Sequence, residues 1–298
     1  MQATRKYLDP AVLSKLANMD LVARCAVEGF FSGLHPSPFH GFSVEYSDHR
    51  AYQPGDELKF LDWKAFGRSD KLYIKQFLQE TNVSVYILLD SSRSMTFGGD
   101  GSVSKLDYGS FLSAALSYLM LGQGDAVGLV TFAEKITAQM PPSARRTYLS
   151  PILATLQNNK GLGRTDLASV LHSVAEIMKR RGLVILISDL LDDVGGLFNG
   201  LAHLRYLNQD VIVFHTLDRL EMSLDFEGLV EFHDMESGRV FRTFPQSVRD
   251  SYQAKVSAFI DELQKTTGRG KIDYCLLDTS QPLDKGLISY LAKRKAMM

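Results

Sequence analysis

The stretch Val83 to Met95, VSVYILLDSSRSM, constrains the fold more than any other part of this chain. An apolar run, Val83 to Leu89, stops abruptly at Asp90, and a polar loop follows through Ser94. A short run rich in branched residues and bounded by a polar turn reads as a buried strand of a parallel sheet. Ligands of open α/β sheets bind at the carboxyl ends of the strands. Asp90, Ser92 and Ser94 are therefore expected at the binding rim. One carboxylate and two hydroxyls at alternate positions form a hard oxygen cluster. Such a set suits Mg2+, or another hard divalent cation such as Mn2+ or Ca2+, and not zinc or copper.

Downstream of this strand the pattern alternates between apolar runs and amphipathic stretches. Helices are expected over Leu106 to Leu121, Thr147 to Gln157, Asp166 to Arg181, Gly195 to Leu207, Gln246 to Lys265 and Pro282 to Lys293. Strands are expected over Ala126 to Phe132, Leu183 to Ile187, Val211 to His215 and Asp273 to Leu277. A hairpin is expected from Val230–His233 and Val240–Phe244 across Ser237-Gly238. This rhythm predicts an α/β fold with a doubly wound, mainly parallel sheet.

Two further loops offer matching chemistry. Gly161-Leu-Gly163-Arg164-Thr165-Asp166 precedes a helix and presents the Thr165 hydroxyl. Asp189 follows the end of the strand that closes at Ile187. If these strands neighbour the first, Asp90, Ser92, Ser94, Thr165 and Asp189 converge.

Upstream, residues 10 to 31 carry apolar residues at helical spacing, from Val12 and Leu16 to Ala26 and Phe30. They predict an amphipathic helix that covers its own domain. Residues 40 to 80 read as a small β-rich module, with Val44, Tyr46, Tyr52 and Leu72-Tyr73-Ile74 as strand signals and Trp63 as its staple. The expected organisation is an N-terminal helix over 1–35, a β-rich module over 36–80 and an α/β domain over 81–298.

Composition excludes several classes. The 298 residues carry a net charge of -1, so there is no global attraction to nucleic acid. The basic clusters Arg145-Arg146, Lys179-Arg180-Arg181 and Lys293-Arg294-Lys295 read as solvated helix ends. The two cysteines, Cys25 and Cys275, lie far apart and fit a reducing compartment. The N-terminus has no apolar core of signal-peptide length, and no apolar run approaches the ~20 residues that span a bilayer. A cytoplasmic location is the expectation.

Catalytic templates are missing. There is no G-x-S-x-G, no H-E-x-x-H and no complete phosphate-binding loop, since Gly268-Arg-Gly270-Lys271 is too short. The seven histidines show no metal-ligand spacing. An Asp at the end of a first strand also begins aspartyl-phosphate phosphotransferases, with Asp189, Asp192 and Asp193 as their later acidic motif. Those enzymes need D-x-D, and Ser92 stands where the second Asp would be. A hydroxyl cannot serve as their general acid near neutral pH. A metal-dependent phosphotransferase or phosphatase using Asp90, and a structural scaffold with an irrelevant metal site, are the alternatives to a binding module.

The D-x-S-x-S of Asp90 to Ser94, the later Thr165 in a Gly-rich loop and the strand-end Asp189 resemble the metal-ion-dependent adhesion site of von Willebrand factor A domains. The likeness covers about Val83 to the late 270s. It implies that Ser92, Ser94 and Thr165 offer hydroxyls to Mg2+ while Asp90 and Asp189 bind it directly or through water. An acidic side chain of a partner protein then completes the shell. Arg50-Ala-Tyr52-Gln-Pro54-Gly55-Asp56, Asp62-Trp63-Lys64, Arg68 and Leu72-Tyr-Ile74-Lys75 resemble the signature of a bacterial family still called a domain of unknown function. Its members are encoded beside MoxR-type AAA+ ATPases. This likeness runs over nearly the whole chain. It implies a cytoplasmic partner of a MoxR-type AAA+ ATPase, acting in chaperone-like maturation or assembly of other proteins, and it brings no established activity; a non-enzymatic binding module is the expectation.

Overall fold

An unbroken run of apolar residues can be buried only if helices cover both faces of its sheet, and this chain builds that arrangement. The computed structural model describes residues 83–99, 103–178, 180–235 and 238–297, together with 19, 21, 23, 24, 26, 27, 49–51, 67 and 73–75. Two compact units divide the chain. One comprises Met1–Leu34 and Asn82–Met298, and the other His35–Thr81. In the smaller unit, β1 (His49–Ala51) pairs antiparallel with β2 (Tyr73–Lys75), in the register His49 with Lys75. The strand signals at Val44, Tyr46 and Tyr52, and Trp63, lie outside the described residues.

The larger unit opens with β3 (Ser84–Asp90), α1 (Lys105–Gly122), β4 (Ala126–Phe132), β5 (Ile136–Ser143), α2 (Leu149–Gln157) and α3 (Leu167–Ile177). It continues with β6 (Leu183–Ser188), α4 (Val194–Tyr206), β7 (Asp210–Leu217), α5 (Arg219–Ser223), β8 (Val230–His233) and β9 (Val240–Thr243). It closes with α6 (Pro245–Arg269), β10 (Asp273–Asp278) and α7 (Asp284–Met297). The six-stranded sheet has the order β10-β7-β6-β3-β4-β5. Every neighbouring pair is parallel except β4 with β5. The expected α/β, doubly wound, mainly parallel sheet is what forms.

Strand periodicity sorts the core into two layers. Val85, Ile87 and Leu89 of β3 and Leu183, Ile185 and Ile187 of β6 face one layer, with Leu112 of α1, Ile152 of α2 and Leu287 of α7. Tyr86 and Leu88, with Val184 and Leu186, face the other, against Val170 of α3, Leu201 of α4 and Leu263 of α6. Ala23, Ala26 and Val27 are helical and buried in the first layer. The expected helix over 10–31 thus packs on the unit of its own sheet as far as it is described.

The sequence reading missed β5. Its burial alternates between half-buried and exposed, and it contains Pro141 and Pro142. Proline lacks an N–H to donate and is confined to edge strands, which is where β5 lies. The helix expected over Asp166 to Arg181 stops at Ile177.

The register of β6 against β3 decides what meets at the rim, and Gly182 protects it. A Cβ at Gly182 would lie 2.3 Å from the Ser84 carbonyl oxygen. The Gly182 carbonyl meanwhile accepts from the Asp210 N–H at 2.9 Å, and its N–H donates to the Gln209 side chain at 2.7 Å. Backbone cannot yield here as a flexible side chain could. Gly182→Ala is expected to lower stability by about 1–3 kcal/mol, the range for overpacking. The urea midpoint, with an unchanged slope, is the measurement.

Candidate metal centre

The centre of the sheet is a topological switch point. From β3 the chain winds out through β4 to β5, and from β6 through β7 to β10, so the carboxyl ends of β3 and β6 flank the crevice. Leu89 pairs with Ile187. Continuing that register by one residue sets Asp90 beside Ser188, on the face of Leu88 and Leu186. The Ser188 hydroxyl donates to Asp90 Oδ2 at 2.6 Å. One residue further, Asp189 belongs to the opposite face, toward α1.

The loop after β3 folds tightly. The Ser92 N–H donates to Asp90 Oδ1 at 2.8 Å. The Ser92 and Ser94 hydroxyls lie 3.0 Å apart, and Ser94–Thr96 forms a single 3-10 turn. The glycine loop docks on it through backbone. The Leu162 N–H donates to the Ser91 carbonyl at 2.8 Å, and the Arg93 N–H donates to the Gly163 carbonyl at 3.0 Å. Gly163 has φ +70°, a left-handed conformation that glycine adopts without steric cost. A Cβ at Gly161 would lie 2.0 Å from the Thr96 methyl and 3.2 Å from the Ser92 carbonyl oxygen, so any larger residue would displace Thr96. The docking brings the Thr165 hydroxyl to 3.4 Å from both oxygens of Asp90.

Asp90, Ser92, Ser94 and Thr165 thus form one linked group, with Asp90 and Ser92 fully buried and Ser94 and Thr165 half-buried. Asp189 is also buried, but its contacts run elsewhere. Its Oδ2 accepts from Lys105 Nζ at 2.8 Å and its Oδ1 from the Leu191 N–H at 3.3 Å. Lys105 Nζ reaches Glu221 Oε1 at 2.6 Å and lies 5.9 Å from the centre of the Phe97 ring.

Ser188, Lys105 and Glu221 were absent from the sequence-derived set. Ser188 was legible as the residue before a strand-end Asp. Lys105 offered only a weak signal, a cation at the first position after the Ser104 cap of a largely apolar helix. Glu221 had none, because it comes from a five-residue helix at the end of β7.

Burial, and then the charge of Asp189, push the Asp90 carboxyl up to about 7, against the pull of its bonds from Ser188 and Ser92. Burial works against the charge on Lys105 as well, but Asp189 and Glu221 outweigh it and raise its pKa. Burial pushes His215, beneath the rim, down to about 4 despite the Asp189 charge. Its Nδ1 meets the Tyr274 hydroxyl at 2.6 Å.

The chemistry of this group fits a hard divalent cation. The Ser188 and Thr165 hydroxyls bond the buried Asp90 carboxylate, and the Ser92 and Ser94 hydroxyls lie in the same loop. Among the described residues no three His, Cys, Asp or Glu side chains form a ligand cluster, and the donors here are hydroxyl-rich. Asp192 and Asp193 are engaged differently. Asp192 accepts from the Leu167 N–H at 2.7 Å at the start of α3, and Asp193 from the Gly196 N–H at 2.7 Å as the cap of α4.

Comparison with known proteins adds a family. The family model described as "Protein of unknown function DUF58" matches residues 48–259. The uncharacterized protein Rv1480 of Mycobacterium tuberculosis (strain ATCC 25618 / H37Rv) is 25% identical over 295 residues, covering 96% of this chain and 91% of its own. The uncharacterized protein YeaD of Bacillus subtilis (strain 168) is 31% identical over 104 residues, covering 35% of this chain and 24% of its own. Among solved structures, the conserved hypothetical protein BatB from Bacteroides thetaiotaomicron aligns at a TM-score of 0.48 and 19% identity, over 72% of this chain and 100% of that one. The manganese-loaded TRAP protein of Plasmodium vivax aligns at a TM-score of 0.36 and 17% identity, over 45% of this chain and 57% of that one.

The Lys105 ion pairs carry a consequence for stability. Lys105 and Asp189 are 0% and 1% exposed, and Glu221 only 20%. Removing the shared cation leaves two poorly solvated carboxylates facing each other. Lys105→Ala is expected to cost about 3–5 kcal/mol. Adding Glu221→Gln should return part of the loss. Urea unfolding in EDTA measures both without interference from a bound ion.

Proposed function

This chain belongs to the DUF58 family of unknown function, and we propose that it is a non-enzymatic, Mg2+-dependent protein-binding module. The observation that carries the reading is the hydroxyl-rich group around Asp90 at the switch point, beside a second buried carboxylate. Asp90, Ser92, Ser94 and Thr165 would hold the ion. Asp189, with both oxygens already accepting bonds, would act through a water. Bound there, Mg2+ supplies an electron-poor position for an incoming carboxylate, since few anionic ligands neutralise it and it commonly keeps exchangeable water. Mn2+ or Ca2+ could take the same place.

The chain's own residues prepare the rim for an acidic visitor. Lys105 ties Asp189 and Glu221 to one cation, which keeps Asp189 turned away from the Asp90 group and leaves the bound ion to draw in a carboxylate. Ser188 and the Ser92 N–H fix the Asp90 carboxylate in one orientation. The proposed partner is a MoxR-type AAA+ ATPase, or a client protein that offers an Asp or Glu, acting in chaperone-like maturation or assembly. We place this work in the cytoplasm. Among the described residues no helix is long and apolar enough to cross a membrane, and Cys275 is a buried free thiol. A phosphotransferase is less well supported, because Ser92 replaces its general acid and Asp192 and Asp193 are committed to helix starts.

Calorimetry of the full chain against MgCl2 is expected to show one site, weakened at least tenfold in Thr165→Ala and lost in Asp90→Ala. The drop follows the roughly 10–100-fold cost of disturbing a metal shell. Binding of the nucleotide-free ATPase should follow the same order. Partner binding that ignores both Asp90→Ala and EDTA overturns the metal-dependent reading and favours a scaffold. Radiolabelled acetyl phosphate should leave no label on Asp90, and a labelled Asp90 would restore the enzyme reading.

A further inference from the structure

Beside the metal rim lies a cavity of about 540 Å3, between the β8–β9 hairpin, α5 and the first turns of α6. It falls within the ~300–1,000 Å3 of sites that bury a ligand. Its lining is largely apolar, including Phe226, Phe232, Phe241 and Val248. Two other lining residues tie it to the rim. Phe97 stands directly after the turn that carries Ser94, and Glu221 shares Lys105 with Asp189. A single buried lysine thus separates the wall of the cavity from Asp189, the second carboxylate of the rim.

The walls are built, not incidental. Phe226 and Phe232 meet edge to face with centroids 5.6 Å apart. Arg249 of α6 donates to the Leu224 and Phe226 carbonyls at 3.2 Å, and the Tyr252 hydroxyl donates to the Glu221 carbonyl at 2.7 Å. Yet the hairpin leaves much apolar surface uncovered. Leu229, Val240, Phe241 and Phe244 are 63%, 52%, 64% and 55% exposed within one short stretch. Of these only Phe241 lines the cavity, so a large aromatic stands mostly exposed on an apolar wall, while Val240 beside it in the strand belongs to the opposite face.

Charge narrows the occupant. Glu221 is paired with Lys105, Glu231 with His233 and Arg242, and Arg249 with Asp225. Arg242 and Arg249 are held by carboxylates and Glu221 shares its lysine with Asp189, so the wall favours apolar bulk over an acidic group. The demand for negative charge lies at the neighbouring rim.

We propose that the cavity is the second half of the partner site. It receives one or two bulky apolar side chains of an extended protein segment whose carboxylate, a few residues away, meets the ion. This deepens the metal-dependent reading and rests on it. Apolar insertion supplies affinity, and the carboxylate supplies metal dependence and register.

The test is selection of phage-displayed random dodecapeptides on the full chain with Mg2+. Recovered peptides are synthesised and measured by fluorescence anisotropy. They should join an Asp or Glu to an aromatic or aliphatic residue. Phe241→Ser, at an exposed position, and Val248→Ser should each weaken them about tenfold, as loss of an interface anchor does. Calorimetry should show Mg2+ binding unchanged in both variants. A chain that takes up Mg2+ normally but whose peptides ignore both substitutions, or need no apolar residue, overturns the cavity proposal alone. A chain that takes up no Mg2+ overturns the metal reading and this two-point scheme with it. Peptide binding that depends on the cavity but not on the peptide's acid also overturns the scheme, leaving an apolar site unconnected to the rim.

Discussion

The parallel pairing of β3 with β6 is the constraint from which the rest follows. It places the carboxyl ends of two strands, far apart in sequence, side by side at the switch point of the sheet. Both ends carry an aspartate, and two buried carboxylates in such proximity are electrostatically costly. The fold answers the cost twice. The period of two in a strand turns the aspartates to opposite faces, Asp90 toward Ser188 and Asp189 toward α1. The first turn of α1 then delivers Lys105 to Asp189.

This division of labour separates two roles that the five residues appeared to share. Asp90 is oriented by a short bond from Ser188, while the bond from Thr165 is long and the Ser92 and Ser94 hydroxyls face each other. Asp189 is committed to an ammonium and a backbone N–H. One side of the rim is thus lined by hydroxyls, and the other is linked through Lys105 to Glu221 and the apolar cavity beyond. A charge change at one end of that chain is felt at the other, because all three groups are largely buried and weakly screened.

Much of the fold was legible in the residues. The apolar runs ending at Asp90 and Ser188 announce strands, and the alternation with amphipathic segments announces a doubly wound sheet. β5 escaped because its exposed face and its prolines imitate a loop, a disguise available only to an edge strand. Oxygen-bearing residues at strand ends were legible at Asp90, Ser92, Ser94, Thr165 and Asp189, of which the first four gather and Asp189 turns to Lys105. Lys105 was not, since a lysine at a helix start normally faces water. Only packing against Asp189 and Glu221 shows that this one does not.

Local residue pattern dictates the strands, their two-sided burial and the oxygen-bearing residues at their ends. These depend on local pattern, which a strand or a helix expresses wherever it lies. Tertiary structure alone decided which aspartate keeps company with hydroxyls and which with a lysine, that Asp192 and Asp193 are spent on helix starts, and that an apolar cavity opens next to the rim. Those outcomes depend on register and on contacts between segments more than a hundred residues apart, such as Lys105 with Glu221. No local pattern carries that information, because each partner's role is fixed only by what the rest of the chain brings to it.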